Sequence, residues 1–448
     1  MYKYQILFLI IAFQSVRALL SKNKTGSKYL LLSFFIITIP LEFTWSVLQG
    51  NLKTFAGTLG TNLNITIPLL IVLFFFLFSK FKIKQKVKYS IWIKGIFAIY
   101  VISLLNPYNT AKFATFVSAL FLVSHLIFFI YIFKNLTHRE IILALYDGFM
   151  IICILQFFLA ICFPLLGISQ VTTIFHDSAG ESATRMGTRE GAVGLFVHPG
   201  NVALYTTVVS TFFLGCYLRN YKKKKSLIIL VLNVITLILT YSRTAYLVFV
   251  IDMAIVYYIC TNAEKAIFTI RNVIKFILPL SLALIYLVFF SPLSATFLES
   301  DANEMLDARM MHWFMGFQIF NTSPLIGVGI NGHLEYMFTN FNLFGGKIID
   351  DFFWENPIHN IHLIVLVETG LIGFVFWIFF IFSNISKAKK DIARKRNLIL
   401  SATQIGTLIG VLLYGITGWA PFSNSILPFL LMVSFFTIQY RNAINSSN

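Results

Sequence analysis

Two histidines stand where a polar stretch of the chain meets a long apolar one. His359 and His362 lie in WENPIHNIHLIVLVETG, residues 354–370. Their spacing of three places both rings on one face of a helix. A histidine and carboxylate cluster can bind a metal, but this spacing fits no zinc motif, so no metal or other cofactor is predicted. General-base chemistry, for which histidine is the commonest residue, is the preferred interpretation of His359.

The neighbours of His359 are predicted to have lesser roles. Asn360 and His362 are assigned as supporting residues, with His362 one turn deeper in the apolar run. Glu368 comes nine residues after His359, which is about 13 Å along a helix and on the opposite face. We therefore expect Glu368 to be a satisfied carboxyl that faces the bundle and does not contact His359.

The composition identifies the environment in which these residues work. Of the 448 residues 58% are hydrophobic and only 12% are charged, whereas soluble domains carry about 25% charged residues. The chain is therefore predicted to be an integral membrane protein. The net charge of +17 is concentrated in short connectors, which is typical of cytoplasmic loops and of contact with membrane lipids rather than of nucleic-acid binding.

The hydropathy pattern predicts an all-α protein with twelve transmembrane spans. They cover residues 29–49, 61–79, 90–105, 112–133, 141–166, 194–218, 226–240, 245–261, 275–291, 361–385, 398–417 and 424–440. Basic connectors follow alternate spans, which places both ends of this core in the cytoplasm.

The spans divide the chain into five regions. These are an N-terminal interfacial helix or thirteenth span (1–28), a transmembrane bundle (29–291) with an outer loop at 167–192, a large outer loop (292–360), C-terminal spans (361–440) and a cytoplasmic tail (441–448). The large loop is too long for a plain connector. Residues 305–320 within it have helical spacing, with Met311, Phe314, Met315 and Ile319 predicted to share one face.

Arginine is prominent among the few cations on the predicted outer side. Arg243 lies in a tight turn between two spans, close to the start of the second, where a cation opposes the helix dipole. Arg185 and Arg189 are four residues apart, and Arg309 belongs to the predicted outer helix. Because the planar guanidinium suits bidentate binding of phosphate, these four residues are the predicted phosphate-binding set. The alternatives are a snorkelling role for Arg243, a solvated loop for Arg185 and Arg189, and a surface ion pair for Arg309.

Several stretches, taken in order, resemble the O-antigen ligase and polysaccharide polymerase superfamily. They are GLFVHPGNVALY (194–205), TYSRTAYLVFV (240–250), ARMMHWFMGFQIFNTSPLIGVGINGH (308–333) and HNIHLIVLVETGLIG (359–373). In the first of them Gly200 intervenes between the Pro and the Asn of the family pattern. The resemblance covers roughly residues 185 to 375, and the earlier spans match in hydropathy only.

The resemblance implies a GT-C-like glycosyltransferase in the bacterial cytoplasmic membrane, with its site facing the exterior. The donor would be an oligosaccharide on undecaprenyl pyrophosphate, transferred without a metal. By resemblance His359 is the catalytic base, Arg243 is catalytic, Arg189 and Arg309 bind the pyrophosphate, and Asn201 is a supporting residue. Arg185 joins the pyrophosphate-binding set because it lies four residues before Arg189.

Three functions remain open at this stage. The preferred one is polymerisation of lipid-linked repeat units into O-antigen or capsular-type polysaccharide, with a chain-length regulator as a candidate partner. The alternative is a ligase that passes the glycan to lipid A-core or another surface acceptor. A transporter or flippase is the third, and it is disfavoured because the distinctive charges lie at the outer rim rather than at mid-membrane.

Overall fold

The computed structural model describes residues 24–40, 44–48, 63–78, 91–165, 191–196, 198–262, 301–340, 357–394, 397–422 and 426–436. These residues form thirteen α-helices and one pair of short strands. In chain order they are α1 (Lys24–Thr38), β1 (Thr44–Leu48), β2 (Leu63–Thr66), α2 (Ile67–Phe78), α3 (Ile91–Leu105), α4 (Lys112–Asn135), α5 (His138–Leu165), α6 (Pro199–Leu218), α7 (Lys223–Leu239), α8 (Arg243–Asn262), α9 (Asp301–Thr322), α10 (His333–Thr339), α11 (Ile361–Ala393), α12 (Leu398–Tyr414) and α13 (Ile426–Ser434).

Five of the described helices are long and apolar enough to cross a membrane. They are α4, α5, α6, α8 and α11, and shorter apolar helices lie within α1, α3 and α12. Helices therefore occupy most of the predicted spans, and the chain is a membrane protein. The predicted span at 275–291, and the predicted helix or span within residues 1–20, lie outside the described residues.

The described part of the chain is all-α, as predicted, except for one pair of short strands. β1 pairs antiparallel with β2, with Thr44 opposite Thr66 and Trp45 opposite Ile65. The predicted span 29–49 therefore contains the end of helix α1 and strand β1, and the predicted span 61–79 contains strand β2 and helix α2. Hydropathy alone does not separate a buried strand from a buried helix, whereas the β-branched residues of these segments favour the strand.

The core of the bundle is built around α6. Nearly every residue of this helix is buried, and α7, α8 and α12 pack against it. A helix that is apolar on all sides belongs inside a bundle rather than at its lipid surface.

A loop clamps α11 at a break. Gly370 in α11 has φ +63°, which interrupts the helical hydrogen bonds. The Gly329 N–H donates to the Glu368 carbonyl over 2.9 Å, and the Leu371 N–H donates to the Pro324 carbonyl over 2.8 Å. Residues 324–329 thus satisfy the backbone groups that the break releases.

The turn between α3 and α4 holds this loop from the other side. The Asn106 side chain donates to the Gly327 carbonyl over 2.7 Å, and the Thr115 hydroxyl donates to the Ile330 carbonyl over 2.6 Å. Connectors that the charge pattern predicts to be outside are therefore in contact with one another.

Helix α9 confirms the predicted helix in the large loop, and only part of its predicted common face is buried. Met315 and Ile319 are buried, whereas Met311 is 41% exposed and Phe314 is 55% exposed. Gly316 faces α11 instead, where an added Cβ would lie 2.8 Å from the Leu363 side chain. The true inner face therefore carries His312, Met315 and Ile319.

Candidate active site

His359 is held at the start of α11 by backbone contacts around it. Asn360 caps the helix, since its side-chain oxygen accepts from the Leu363 N–H over 3.0 Å. The Ile361 N–H donates to the Gly415 carbonyl over 2.9 Å, which ties the helix start to the end of α12. His359 is half-buried, and its buried Nδ1 atom has no hydrogen-bond partner among the described residues.

His312 of α9 lies against His359. The two imidazole rings are stacked, with centroids 5.4 Å apart and planes only 7° apart. Arg309 stands one helical turn before His312, so α9 brings a guanidinium and an imidazole to His359 from the same face.

His198 reaches the same place from the N-terminus of α6. Its Nδ1 accepts from the Gly200 N–H over 3.0 Å, and its ring packs at 5.6 Å from the ring of Trp419. An added Cβ at Gly200 would lie 2.9 Å from His198 Nδ1 and 2.9 Å from the Tyr414 hydroxyl. The glycine that departs from the family pattern is therefore required here by space.

Two arginines and a tyrosine complete the cluster. Arg243 is the first residue of α8 and is exposed. Burial lowers the pKa of the Arg309 guanidinium, and the nearby Arg243 lowers it further. The Tyr414 hydroxyl donates to the Gly200 carbonyl over 3.3 Å, and its proximity raises the pKa of Arg309. No carboxylate among the described side chains forms a salt bridge with Arg309.

Burial and positive neighbours keep the histidines of the cluster neutral. Burial, followed by His312, Arg309 and His198, lowers the pKa of His359 to about 3, against a smaller opposing effect of the Pro357 carbonyl. Burial lowers the pKa of His198 to about 4. Burial and the nearby His333 lower the pKa of His312 to about 4. Such a site disfavours added protons and favours an anion.

The remaining predicted residues lie elsewhere. His362 is engaged on both ring nitrogens, since Nε2 lies 2.8 Å from the Leu412 carbonyl and Nδ1 accepts from Trp377 Nε1 over 3.3 Å. Asn201 is fully buried in the first turn of α6. Arg185 and Arg189 lie outside the described residues. The chain resumes at Gly191, and the N–H of the next residue, Ala192, donates to the Leu239 carbonyl near the Arg243 turn.

Glu368 is a satisfied carboxyl, as predicted, and its partner is His333. Its Oε1 lies 2.6 Å from His333 Nδ1, and both side chains are buried. Within the described part of the chain, no three His, Cys, Asp or Glu side chains are grouped so that they hold a metal ion.

Sequence reasoning missed His198, His312, His333 and Tyr414. One signal for His312 was present, because it follows Arg309 at a spacing of three within the same predicted helix. His198 directly precedes the proline that opens α6. The sequence carries no comparable signal for His333 or Tyr414, which the packing of separate helices brings in.

The geometry agrees with the comparison to known proteins. Residues 228–378 match the family described as O-antigen ligase, a segment that contains Arg243, Arg309, His312 and His359. No curated protein matches the chain. The resemblance predicted from the motifs is therefore confirmed over this segment: residues 228–378 of this membrane protein are similar to the O-antigen ligase family.

Proposed function

We propose that this protein transfers a glycan from a polyprenyl-pyrophosphate donor to a sugar hydroxyl. The observation that carries the proposal is the meeting of Arg243, Arg309 and His359, from three separate helices or helix starts, in one partly open cluster. Paired guanidinium groups suit a pyrophosphate, and a neutral imidazole suits proton abstraction. The family match supports a glycosyltransferase-like enzyme with a lipid-linked glycan substrate.

The proposed reaction is a single displacement at the anomeric carbon of the donor. The acceptor oxygen forms the new glycosidic bond while its proton passes to His359. The bond between the anomeric carbon and the pyrophosphate oxygen breaks, and its electron pair stays on the pyrophosphate. Arg243 and Arg309 stabilise the charge that develops there, and Arg185 and Arg189 are the remaining candidates for this role.

The low proton affinity of His359 fits a base that donor binding activates. Without ligand, the positive charge of Arg309 contributes to a pKa of about 3. A pyrophosphate bound to Arg309 and Arg243 would offset that charge and raise the pKa of His359. Proton abstraction is then favoured when the donor is in place.

Between the two outcomes of this chemistry we favour the polymerase. Its substrates would be undecaprenyl-pyrophosphate-linked repeat units on the outer face of the cytoplasmic membrane, where a chain-length regulator is a candidate partner. The long outer segment with α9 and α10 offers surface for two glycans. The matched family is described as O-antigen ligase, and a ligase that uses lipid A-core or another surface acceptor is therefore the second candidate.

Purified protein should elongate or transfer lipid-linked oligosaccharide with EDTA present and without nucleotide. His359→Ala and Arg243→Ala should each lower the rate by about 10²–10³ or more, because each removes a positioned group from the transition state. Product chain length on gels measures the effect. A matched control is Asn340→Ala, since Asn340 lies at the end of α10 and donates to the Tyr336 carbonyl. Normal product from His359→Ala would exclude it as the base.

A further inference from the structure

A cavity of about 210 Å³ lies beside the active-site cluster. Pro357, two residues before His359, lines it. Trp419, whose ring packs against His198, lines it as well. The cavity therefore adjoins the cluster and extends along α11.

The walls of the cavity are mainly apolar and aromatic, and include Tyr100, Phe376 and Trp377. A small polar group stands among them, made of Asn331, His333 and Glu368. Binding pockets commonly have this composition, in which apolar walls enclose the ligand and a few polar atoms orient it.

The contact with Glu368 determines which atom His333 offers to the cavity. A carboxylate only accepts hydrogen bonds, so the 2.6 Å contact assigns the ring proton to Nδ1. In the neutral form of the ring, this tautomer has a lone pair on Nε2. This buried Nε2 atom has no hydrogen-bond partner among the described residues, and neither has the buried Nδ2 of Asn331.

The side chains of His333 and Asn331 thus line the same cavity, and each carries one buried polar atom that has no partner among the described residues. Buried polar atoms in proteins are nearly always paired, because an unpaired one has lost its hydrogen bonds to water without replacement. A hydroxyl group satisfies both at once, because it donates to His333 Nε2 and accepts from Asn331 Nδ2.

We propose that His333 and Asn331 bind a hydroxyl of the acceptor sugar, and that Glu368 holds His333 in the tautomer that this contact needs. The proposal rests on the proposed glycosyl transfer, for which it places the acceptor. His333 and Asn331 orient the acceptor, and the proton of the attacking hydroxyl still passes to His359.

Steady-state kinetics separate this role from a structural one. The donor is lipid-linked repeat unit at saturation, and the varied acceptor is the same oligosaccharide freed of lipid by mild acid. His333→Phe removes the acceptor nitrogen, and Asn331→Gly removes the donor while keeping the φ of +61° at that position. Each should raise the acceptor KM about tenfold, because each removes one hydrogen bond to the acceptor. The donor KM should stay unchanged. Asn340→Ala should leave both constants unchanged.

Different results would contradict the proposed acceptor site and the proposed glycosyl transfer. An unchanged acceptor KM in both variants, or a fall in kcat alone, overturns the proposal. If His333→Phe lowers the melting temperature, the acceptor KM of Asn331→Gly becomes the test of the proposal. If the wild type transfers nothing, the proposed function fails and binding becomes the test. In that case the delipidated oligosaccharide should still change the fluorescence of Trp377 and Trp419, and lose this effect in both variants. If the oligosaccharide does not change the tryptophan fluorescence of the wild type, the proposed acceptor site is wrong.

Discussion

His312 and His359 lie ring against ring in a place where protonating either is unfavourable. Burial lowers the pKa of both rings, His333 lowers that of His312 further, and burial alone lowers that of His198. The three rings accordingly offer uncharged nitrogens beside two guanidinium groups. At the scale of single residues, the site is arranged to receive an anion and to accept one proton, and it carries no spare proton before the anion arrives.

This arrangement predicts that the protein is destabilised by acid. Each of the three rings has a lower pKa folded than the usual 6.5, so the unfolded chain binds more protons between pH 6.5 and about 4. Stability is therefore complete above pH 6.5 and falls as the pH drops, by about 1.4 kcal/mol per pH unit for each extra proton.

His312→Phe tests this, because it keeps a stacked ring and removes one titrating group. Thermal unfolding in detergent at pH 7 and pH 5 should show a smaller loss of melting temperature in the variant than in the wild type. An equal loss in both proteins would contradict the assignment. His362→Phe, which lies outside the cluster, serves as the control for the loss of any histidine.

At the scale of elements, the break in α11 positions Glu368 for its contact with His333. Gly370 allows the helix to open, residues 324–329 fill the opening, and His333 then follows at the right distance to reach Glu368. An added Cβ at Gly370 would lie 2.2 Å from the backbone of Leu325. Because the clash is with backbone atoms of Leu325, no side-chain rotation relieves it.

Gly370→Ala should therefore destabilise the protein by about 2 kcal/mol or more, through the strain of φ +63° and through the clash. We expect a lower melting temperature and a loss of transfer activity. The matched control is Gly215→Ala in α6, where the added Cβ would meet Ile399 at an ordinary 3.5 Å. Equal melting temperatures for the two variants would show that the clamp adapts without cost.

The elements also show how far the sequence alone could lead. The motif residues His359, Arg243 and Arg309 were predictable, since each stands at a helix start or at a recognisable helical spacing. The inner face of α9 was not, because this helix has apolar residues on both sides. Periodicity cannot tell which side meets the protein when Met310 and Phe317 are left exposed. His333 was missed for a different reason, since its contact with Glu368 spans 35 residues and depends on the break at Gly370.

At the scale of the whole molecule, the polar connectors that the charge pattern predicts to be outside carry the candidate site. The turn before α4, the loop after α9 and the starts of α6, α8 and α11 all contribute to it or hold it. The lysine-rich connector before α7 lies with the N-terminal part of α5 instead, where Lys222 is 3.9 Å from Asp147. The residues of the candidate site are thus separated from the lysine-rich connector between α6 and α7, which belongs to the predicted cytoplasmic side.

A gene deletion distinguishes a polymerase from a ligase, because the two losses leave different glycans on the cell surface. If the protein is the polymerase that we propose, deleting its gene should leave single repeat units attached to the surface acceptor, because a separate ligase still acts. If it is the ligase, the surface should carry no repeat units and lipid-linked polymer should accumulate. Gel analysis of surface glycans from the deletion strain distinguishes the two. Complementation with His359→Ala should reproduce the deletion pattern, whereas complementation with Asn340→Ala should restore the full ladder of chain lengths.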